Sequence, residues 1–467
     1  MLEFLNDRVV SVLTAVMLLG TGLFFSFKLR LFYFLHPIKM IREMLKKEKK
    51  DGISPFRAVS LALAGTLGVG NIAGVASSIA IGGYGSVFWM WVSALVAMVL
   101  KYAEIVLAMR HRRVDRGGGG YFGGAPYYIK DHFASKGRAV SGKIIGGIFA
   151  LLCIVNSVTM GCVIQSNAVA TSFSGVLNVK PLIVGALVAT FCCFVITGNA
   201  KWVSGFCEKT VPLMTLGYFF LSVAVIAMRW ESVPSAFSLI FEDAFRLDSA
   251  AGGIFGFFLS SKFRTGTMRG LMSNEAGCGT APTAHASSNT ESPSKQGLWG
   301  IFEVFVDTIL LCTLTAIVII LAGNGVLDYS ADPMMMAIKA YSAVLGGWSE
   351  YYMCISVLLF AFATMVCWAH YGKESLRCLT KKKGAAAVYV LLFCLFVFVG
   401  AVAAPSLAWL LADLAIGIMT LINLPILCSM SGEVKSETEL LLRKMEIGQH
   451  YCASEKNGRD NNENKRK

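Results

Sequence analysis

Charge is scarce in this chain: Asp, Glu, Lys and Arg make up 15% of its 467 residues, against 55% hydrophobic. A soluble globular domain carries about 25% charged residues, so a surface built for water is excluded as the main design. Proline is sparse at 11, while glycine reaches 46, a balance that suits helices packing closely in lipid. Cysteine is present 13 times, but no CxxC pair or Cys/His cluster occurs, and the adjacent Cys192 and Cys193 cannot both join one simple zinc site. The cysteines read as small buried hydrophobes. A nucleophile–base pair within the apolar runs is missing too, which argues against an integral-membrane enzyme. The net charge of +13 does not indicate a nucleic-acid partner, because the basic residues lie in loops and in the tail with little aromatic interleaving.

Two phosphate-type motifs fail on context. Gly68-x-Gly70-x-x-Ala73 lacks the acidic residue about twenty positions on and has no soluble βαβ unit around it. Gly137-x-x-x-x-Gly142-Lys143 has Ile144 where a magnesium-holding Ser or Thr would stand. The Gly117–Gly120 run and Gly123-Gly124 read as a flexible connection, or a lid that moves with a working cycle.

Long apolar runs are what the chain has instead. They give about eleven spans, near 9–27, 59–82, 86–108, 144–173, 181–198, 208–228, 263–288, 299–322, 349–372, 385–404 and 406–430. The seventh is weak by hydropathy and carries Arg264, Arg269 and Glu275. With the N-terminus outside, the basic loops 28–58 and 109–143, the cluster Lys381-Lys382-Lys383 and the tail all fall inside, as the positive-inside rule demands. Deleting the seventh span would turn the 373–384 cluster outward. The first run is too long for a signal h-region and lacks an Ala-x-Ala site, so it reads as a span. The expected division is therefore 1–58, an extra N-terminal helix with a basic cytoplasmic loop; 59–228, a first block of five helices; 229–262, an extracellular connection; 263–430, a second block of five; and 431–467, a cytoplasmic tail with a short helix and then disorder. Five is odd, so the second block enters the membrane from the opposite side, which makes an inverted repeat.

The first member of each block is interrupted. Gly65-Thr66-Leu67-Gly68-Val69-Gly70-Asn71-Ile72-Ala73-Gly74 sets many glycines and a carboxamide near mid-membrane, and Ser273-Asn274-Glu275-Ala276-Gly277-Cys278-Gly279 does the same in the second block. Irregular backbone survives at that depth only where it is buried in protein or lines a wet cavity. Paired interruptions of this kind mark a transport site. Exposed helix N-termini suit a carboxylate, while unwound carbonyls suit a small hard cation. The spacings Gly70-x-x-x-Gly74 and Gly266-x-x-x-Gly270 also permit plain close helix packing.

Other intramembrane polar groups need partners. Lys101 and Glu104 are three apart and can pair on one helix face. Glu303 and Asp307 are four apart, and Asp307, the deeper, suits a network with Glu275, Lys101 or a gate. Gln165 can reach a cavity or serve as a helix-packing hydrogen bond. Thr364 and Trp368 share a face, where a hydroxyl can ligate Na⁺ and an indole can cap a small pocket; an ordinary buried aromatic is the plainer reading of Trp368. His285 and His370 read as packed or interfacial side chains.

Over nearly its full length the chain resembles the alanine or glycine:cation symporters, the sodium:alanine symporter family. The matching stretches are Gly70-Asn71-Ile72-Ala73-Gly74-Val75-Ala76, Phe88-Trp89-Met90-Trp91-Val92, Arg269-Gly270-Leu271, Ser273-Asn274-Glu275-Ala276-Gly277, Asp307-Thr308, and Trp368 followed by Tyr371-Gly372. The resemblance implies an all-α LeuT-type 5+5 inverted repeat with one extra N-terminal helix and two discontinuous helices. It implies uptake of a small neutral amino acid with Na⁺ as coupling ion, without other cofactor, across a bacterial inner membrane; membrane lipid is the expected surrounding and a monomer the expected state, although the sequence itself does not give the oligomeric state. Gly70, Asn71, Gln165, Met272, Ser273, Thr364 and Trp368 would contact the substrate, and Val69, Asn71, Ser273 and Thr364 would hold Na⁺. The sequence departs from the family pattern at Val69, where Thr is frequent, at Met272, where Phe is usual, and at Ala363, where Ser is common. Fewer hydroxyls bear on the Na⁺ sites, and the adaptable Met272 admits a larger substrate such as serine or cysteine. A proton passing through Glu275 or Asp307 is the rival coupling ion, and a channel is the rival of a different class.

Overall fold

The two interruptions expected from the glycine pattern are present and lie side by side. The computed structural model describes residues 2–46, 52–115, 120–198, 200–246, 260–323 and 332–445. The expected disorder after residue 445, the lysines at 47, 49 and 50, and Gly117 to Gly119 of the glycine-run expectation lie outside the described residues. Among the described residues the architecture is all-helical apart from one two-stranded antiparallel pair, β1 (Arg113–Val114) with β2 (Tyr121–Phe122).

In chain order the helices used below are α1 (Leu2–Lys28), α2 (Pro37–Leu45), α3 (Pro55–Thr66), α4 (Ala73–Gly82), α5 (Gly85–Arg110), α6 (Ala125–Ser135), α7 (Ala139–Leu177), α8 (Pro181–Ile196), α9 (Ala200–Met228), α10 (Val233–Phe245), α11 (Ser261–Asn274), α12 (Pro293–Ala322), α13 (Pro333–Leu345), α14 (Trp348–Leu379), α15 (Lys383–Val402), α16 (Ser406–Ser429) and α17 (431–445). Eight described helices are long and apolar enough to cross a membrane: α1, α5, α7, the 202–228 part of α9, α12, α14, the 384–402 part of α15, and α16. Three shorter apolar helices, α4, α8 and α13, accompany them. Segments expected as connections carry helices of their own. The 28–58 loop holds α2, the 109–143 loop holds the strand pair and α6, and the 229–262 connection holds α10. These helices are too short to show in a span-length hydropathy window.

The broken spans begin as ordinary helices. Ser54 caps α3 by accepting from Arg57 N (3.2 Å) with Pro55 at the first helical position, and Ser260 caps α11 by accepting from Phe263 N (3.3 Å). The span expected at 59–82 is α3, a 3₁₀ turn at Val69–Asn71, and α4. The span expected at 263–288 is α11, a non-helical stretch, and a single turn at Pro282–His285. α11 ends because Glu275 adopts φ +52 and Gly277 and Gly279 adopt φ +91 and +79, conformations that glycine enters freely and other residues rarely. α4 packs along α11, and α3 along the Pro282–His285 turn, so the two broken elements run antiparallel. Asn289 N donates to Ile53 O at 2.8 Å, and Ile53 and Ser288 form a parallel bridge that ties one pair of their ends.

Small residues decide where helices touch. A Cβ on Gly266 would fall 2.2 Å from Ser86 O, so the Gly266-x-x-x-Gly270 face is a close contact of α11 with α5. A Cβ on Gly74 meets nothing within 4 Å, so that glycine is not held by packing. Among the described residues three π-helical stretches, at Asn6–Val10, Thr159–Val163 and Phe305–Cys312, interrupt α1, α7 and α12. Such bulges are frequent at functional sites.

Gly266→Leu is expected to cost about 3 kcal/mol or more by overpacking against Ser86, seen as loss of the monodisperse peak or a large drop in melting temperature in detergent. Gly74→Ala is expected to be neutral or to raise stability by about 0.5–1 kcal/mol.

Candidate functional site

Asn71 joins the two breaks. Its Oδ1 accepts from Gly68 N (3.1 Å), which holds the 3₁₀ turn closed. Its Nδ2 donates across to Ser273 Oγ (3.1 Å), Asp307 Oδ1 (2.7 Å) and Asp307 O (3.1 Å). Its own carbonyl accepts from Thr315 Oγ1 at 2.8 Å. One buried carboxamide thus ties the turn after α3, the end of α11 and the π stretch of α12. A Cβ on Gly70 would sit 3.8 Å from Ser273 Cα, an ordinary contact, so the two breaks approach here without glycine being required.

Asp307 is the charge at this junction. Its carboxylate accepts from Asn71, from Ser273 Oγ (2.8 Å) and from Thr308 Oγ1 (2.7 Å), and the residue is fully buried. Among the described residues no Lys, Arg or His forms an ion pair with it. Three neutral donors thus surround the carboxylate, and among the described residues no cationic side chain is in direct contact with it.

A second group of polar side chains meets the other side of the same turn. Gln165 Oε1 accepts from Val69 N (3.1 Å), and its Nε2 donates to Met160 O (3.1 Å) in the π stretch of α7. Thr364 Oγ1 donates to Ala64 O (2.9 Å) at the end of α3 and stands 2.6 Å from where a Gly68 Cβ would be. Val69 offers no side-chain ligand, and its carbonyl accepts from Ile72 N (3.1 Å). Trp368 lies fully buried against Gly161, whose Cβ would come within 2.2 Å of it, and its indole N–H has no acceptor among the described residues. Met272 turns elsewhere: its sulfur is 3.0 Å from Arg269 Nη1, which also pairs with Asp413 (3.2 Å) of α16.

So Gly70, Asn71 and Ser273 gather at Asp307, while Gln165, Thr364, Val69 and Trp368 gather on the α7–α14 side of the turn. Asp307 belongs to the junction although motif matching did not place it among the contact residues. Its signal was an acid deep in an apolar span, four residues beyond Glu303.

The expected Lys101–Glu104 pairing does not form. Lys101 Nζ lies 3.2 Å from Glu303 Oε1 and donates to Asn274 O (2.7 Å), so the lysine neutralises α12 and the carbonyl end of α11 together. Glu104 turns to the second break, accepting from Gly277 N (3.1 Å) and Asn423 Nδ2 (2.5 Å). Glu303 also meets His285 Nε2 (3.0 Å), whose Nδ1 meets Gln296 (2.8 Å). Glu275 accepts from Thr280 Oγ1 (2.6 Å) through one oxygen, and its other oxygen has no hydrogen-bond partner among the described residues.

Comparison with known proteins bears on the same residues. The family model described as "Sodium:alanine symporter family" matches residues 1–456. The chain belongs to that family. It is 35% identical to the sodium/alanine symporter AgcS of Methanococcus maripaludis, over 91% of this chain and 93% of that one. It is 32% identical to the probable sodium/glutamine symporter GlnT of Bacillus subtilis, over 90% of this chain and 85% of that one. A solved Na⁺-coupled sialic acid symporter superposes with TM-score 0.51 at 10% identity, covering 93% of this chain and 86% of the other, and shows likeness of fold alone. This member of the sodium:alanine symporter family is a multi-pass membrane protein of the cation-coupled amino-acid transporters.

Replacing Asn71 by Ala strands Gly68 N and two donors' worth of acceptors in a buried place, an expected loss of about 2–4 kcal/mol in detergent melts. Thr364→Val, which keeps the shape and removes one bond to Ala64 O, should lose only about 1 kcal/mol.

Proposed function

We propose that the chain imports a small neutral amino acid of the alanine or glycine class together with Na⁺, by alternating access. The observation that carries this reading is the buried Asp307 carboxylate, held by Asn71, Ser273 and Thr308 at the meeting of two broken helices. Na⁺ beside it supplies the missing countercharge, and the substrate carboxylate takes N–H groups of the first break, such as Val69 N, from the side chains that hold them in this structure. Gln165, Thr364 and Trp368 form the opposite wall in this reading. Met272 enters this reading as a residue that swings from Arg269 toward substrate, and Val69 as a backbone ligand through its carbonyl.

In the same reading eleven spans form a 5+5 inverted repeat after one extra N-terminal helix, with 59–228 and 263–430 as its halves, the N-terminus outside and the tail in the cytoplasm of a bacterial cell. The antiparallel setting of the broken elements and the basic loops support that arrangement. Each Na⁺ carried inward gains about 2.3 kcal/mol per 100 mV, so one ion supports modest accumulation and two support far more. No residue carries out bond chemistry.

Radiolabelled alanine uptake into proteoliposomes tests this. Uptake should depend on an inward Na⁺ gradient; equal uptake in choline buffer sinks the sodium reading, and uptake following a proton gradient instead favours the rival ion. Asp307→Asn is expected to abolish Na⁺-driven uptake. It should also remove the thermal stabilisation that Na⁺ gives the purified wild-type protein, about 2.7 kcal/mol at a hundredfold excess over Kd.

A further inference from the structure

Beside the central site lies an apolar groove of about 660 Å³ that the proposed transport does not use. α2 contributes Met40 and Met44 to it, α5 contributes Leu95 and Met98, and α12 contributes side chains from Leu298 to Ile309. At about 1.5 Å per residue, Trp299 to Ile309 covers about 15 Å, the depth of one leaflet of an about 30 Å hydrocarbon core. The mouth is apolar and open: Phe34 is 50% exposed, Leu45 61% and Phe305 47%.

Two further features set the chemistry of what fills it. Trp299 lines the groove, is 5% exposed, and its indole N–H has no acceptor among the described residues. Lys39 and Arg42 stand on α2, and among the described residues neither has an acidic partner, while the helix's one acid, Glu43, is taken by Lys46. α2 is thus a short amphipathic helix with apolar side chains in the groove and uncompensated positive charge beside it, the composition of an interfacial helix that meets anionic lipid.

We propose that the groove binds one anionic phospholipid. Its acyl chain lies between α2 and α12, a glycerol-ester carbonyl accepts from Trp299 Nε1, and its phosphate meets Lys39 and Arg42. Charge selects the headgroup and groove length selects the chain. The bound chain would rest on Phe305 and Ile309, which belong to the π stretch that carries Asp307.

The purified full chain in phosphatidylcholine nanodiscs, titrated with phosphatidylglycerol carrying brominated acyl chains, tests this through tryptophan fluorescence. The expected result is a saturable loss of emission at a few mole per cent of the anionic lipid. Trp299→Phe should lack that component. Lys39→Gln with Arg42→Gln, both at the surface and harmless to folding, should move its midpoint up by about ten- to thirty-fold, at roughly five-fold per basic residue. Brominated phosphatidylcholine giving the same curve would show bulk lipid only and overturn the site. So would a saturable component that survives Trp299→Phe. A lipid-free dimer in native mass spectrometry would assign the groove to a second copy of the chain instead. None of these readouts requires transport, so a failure of Na⁺-driven uptake would leave them standing.

Discussion

The structure depends on a single carboxamide that satisfies three interrupted segments at once. A helix broken inside lipid leaves backbone donors and acceptors that water cannot reach, each costing several kcal/mol if unmet. Asn71 answers this from the centre of the break. Its oxygen takes Gly68 N, its nitrogen reaches Ser273 and Asp307, and its carbonyl takes Thr315. An aspartate at this position could accept but not donate, and would set a second negative charge against Asp307. A leucine could do neither.

Around this junction the buried charges are arranged in two layers. Lys101 and Glu303 neutralise each other and fasten the C-terminal end of α11 through Asn274 O, while Glu104 and Asn423 hold the following loop through Gly277. Removing one partner of such a buried pair leaves an uncompensated charge, which costs far more than the pair contributes. These contacts keep the second break in one geometry. Asp307 differs from them in having hydrogen-bond donors but, among the described residues, no cation in direct contact. In the proposed reading this difference keeps the ion's place distinct from the rigid scaffold.

Much of this was legible in the sequence, for identifiable reasons. Glycine clusters beside Asn71 and the Ser273-Asn274-Glu275 run announced both breaks, because plain helix packing explains the glycines but not these polar groups at that depth. That Gly266 and Gly270 meet another helix followed from their spacing. Partners far apart in sequence were not legible. The i,i+3 spacing of Lys101 and Glu104 suggested a local pair, but the fold brings Glu303, some two hundred residues away, to the lysine and sends Glu104 to the second break. Asp307 was visible as an intramembrane acid, yet its union with Asn71 depends on how α12 packs and on its π stretch, which no pattern of side chains encodes. The helices α2, α10 and α13 were hidden by their brevity. The left-handed backbone of Glu275 was hidden too, since the motif around it supplies glycine only two residues later.

The bridge between Ile53 and Ser288 has a mechanical meaning. It sews the beginning of one discontinuous rod to the finish of the other, and Arg112 adds bonds to Ser288 O and Thr290 O at the same corner. Rods joined at one extremity can spread only at the other, like the legs of a drawing compass. Under the proposed alternating access the tied corner would serve as the pivot, and α4 and the start of α11 would travel farthest while Asn71 and Ser273, part-way along, would part by a fraction of that stroke.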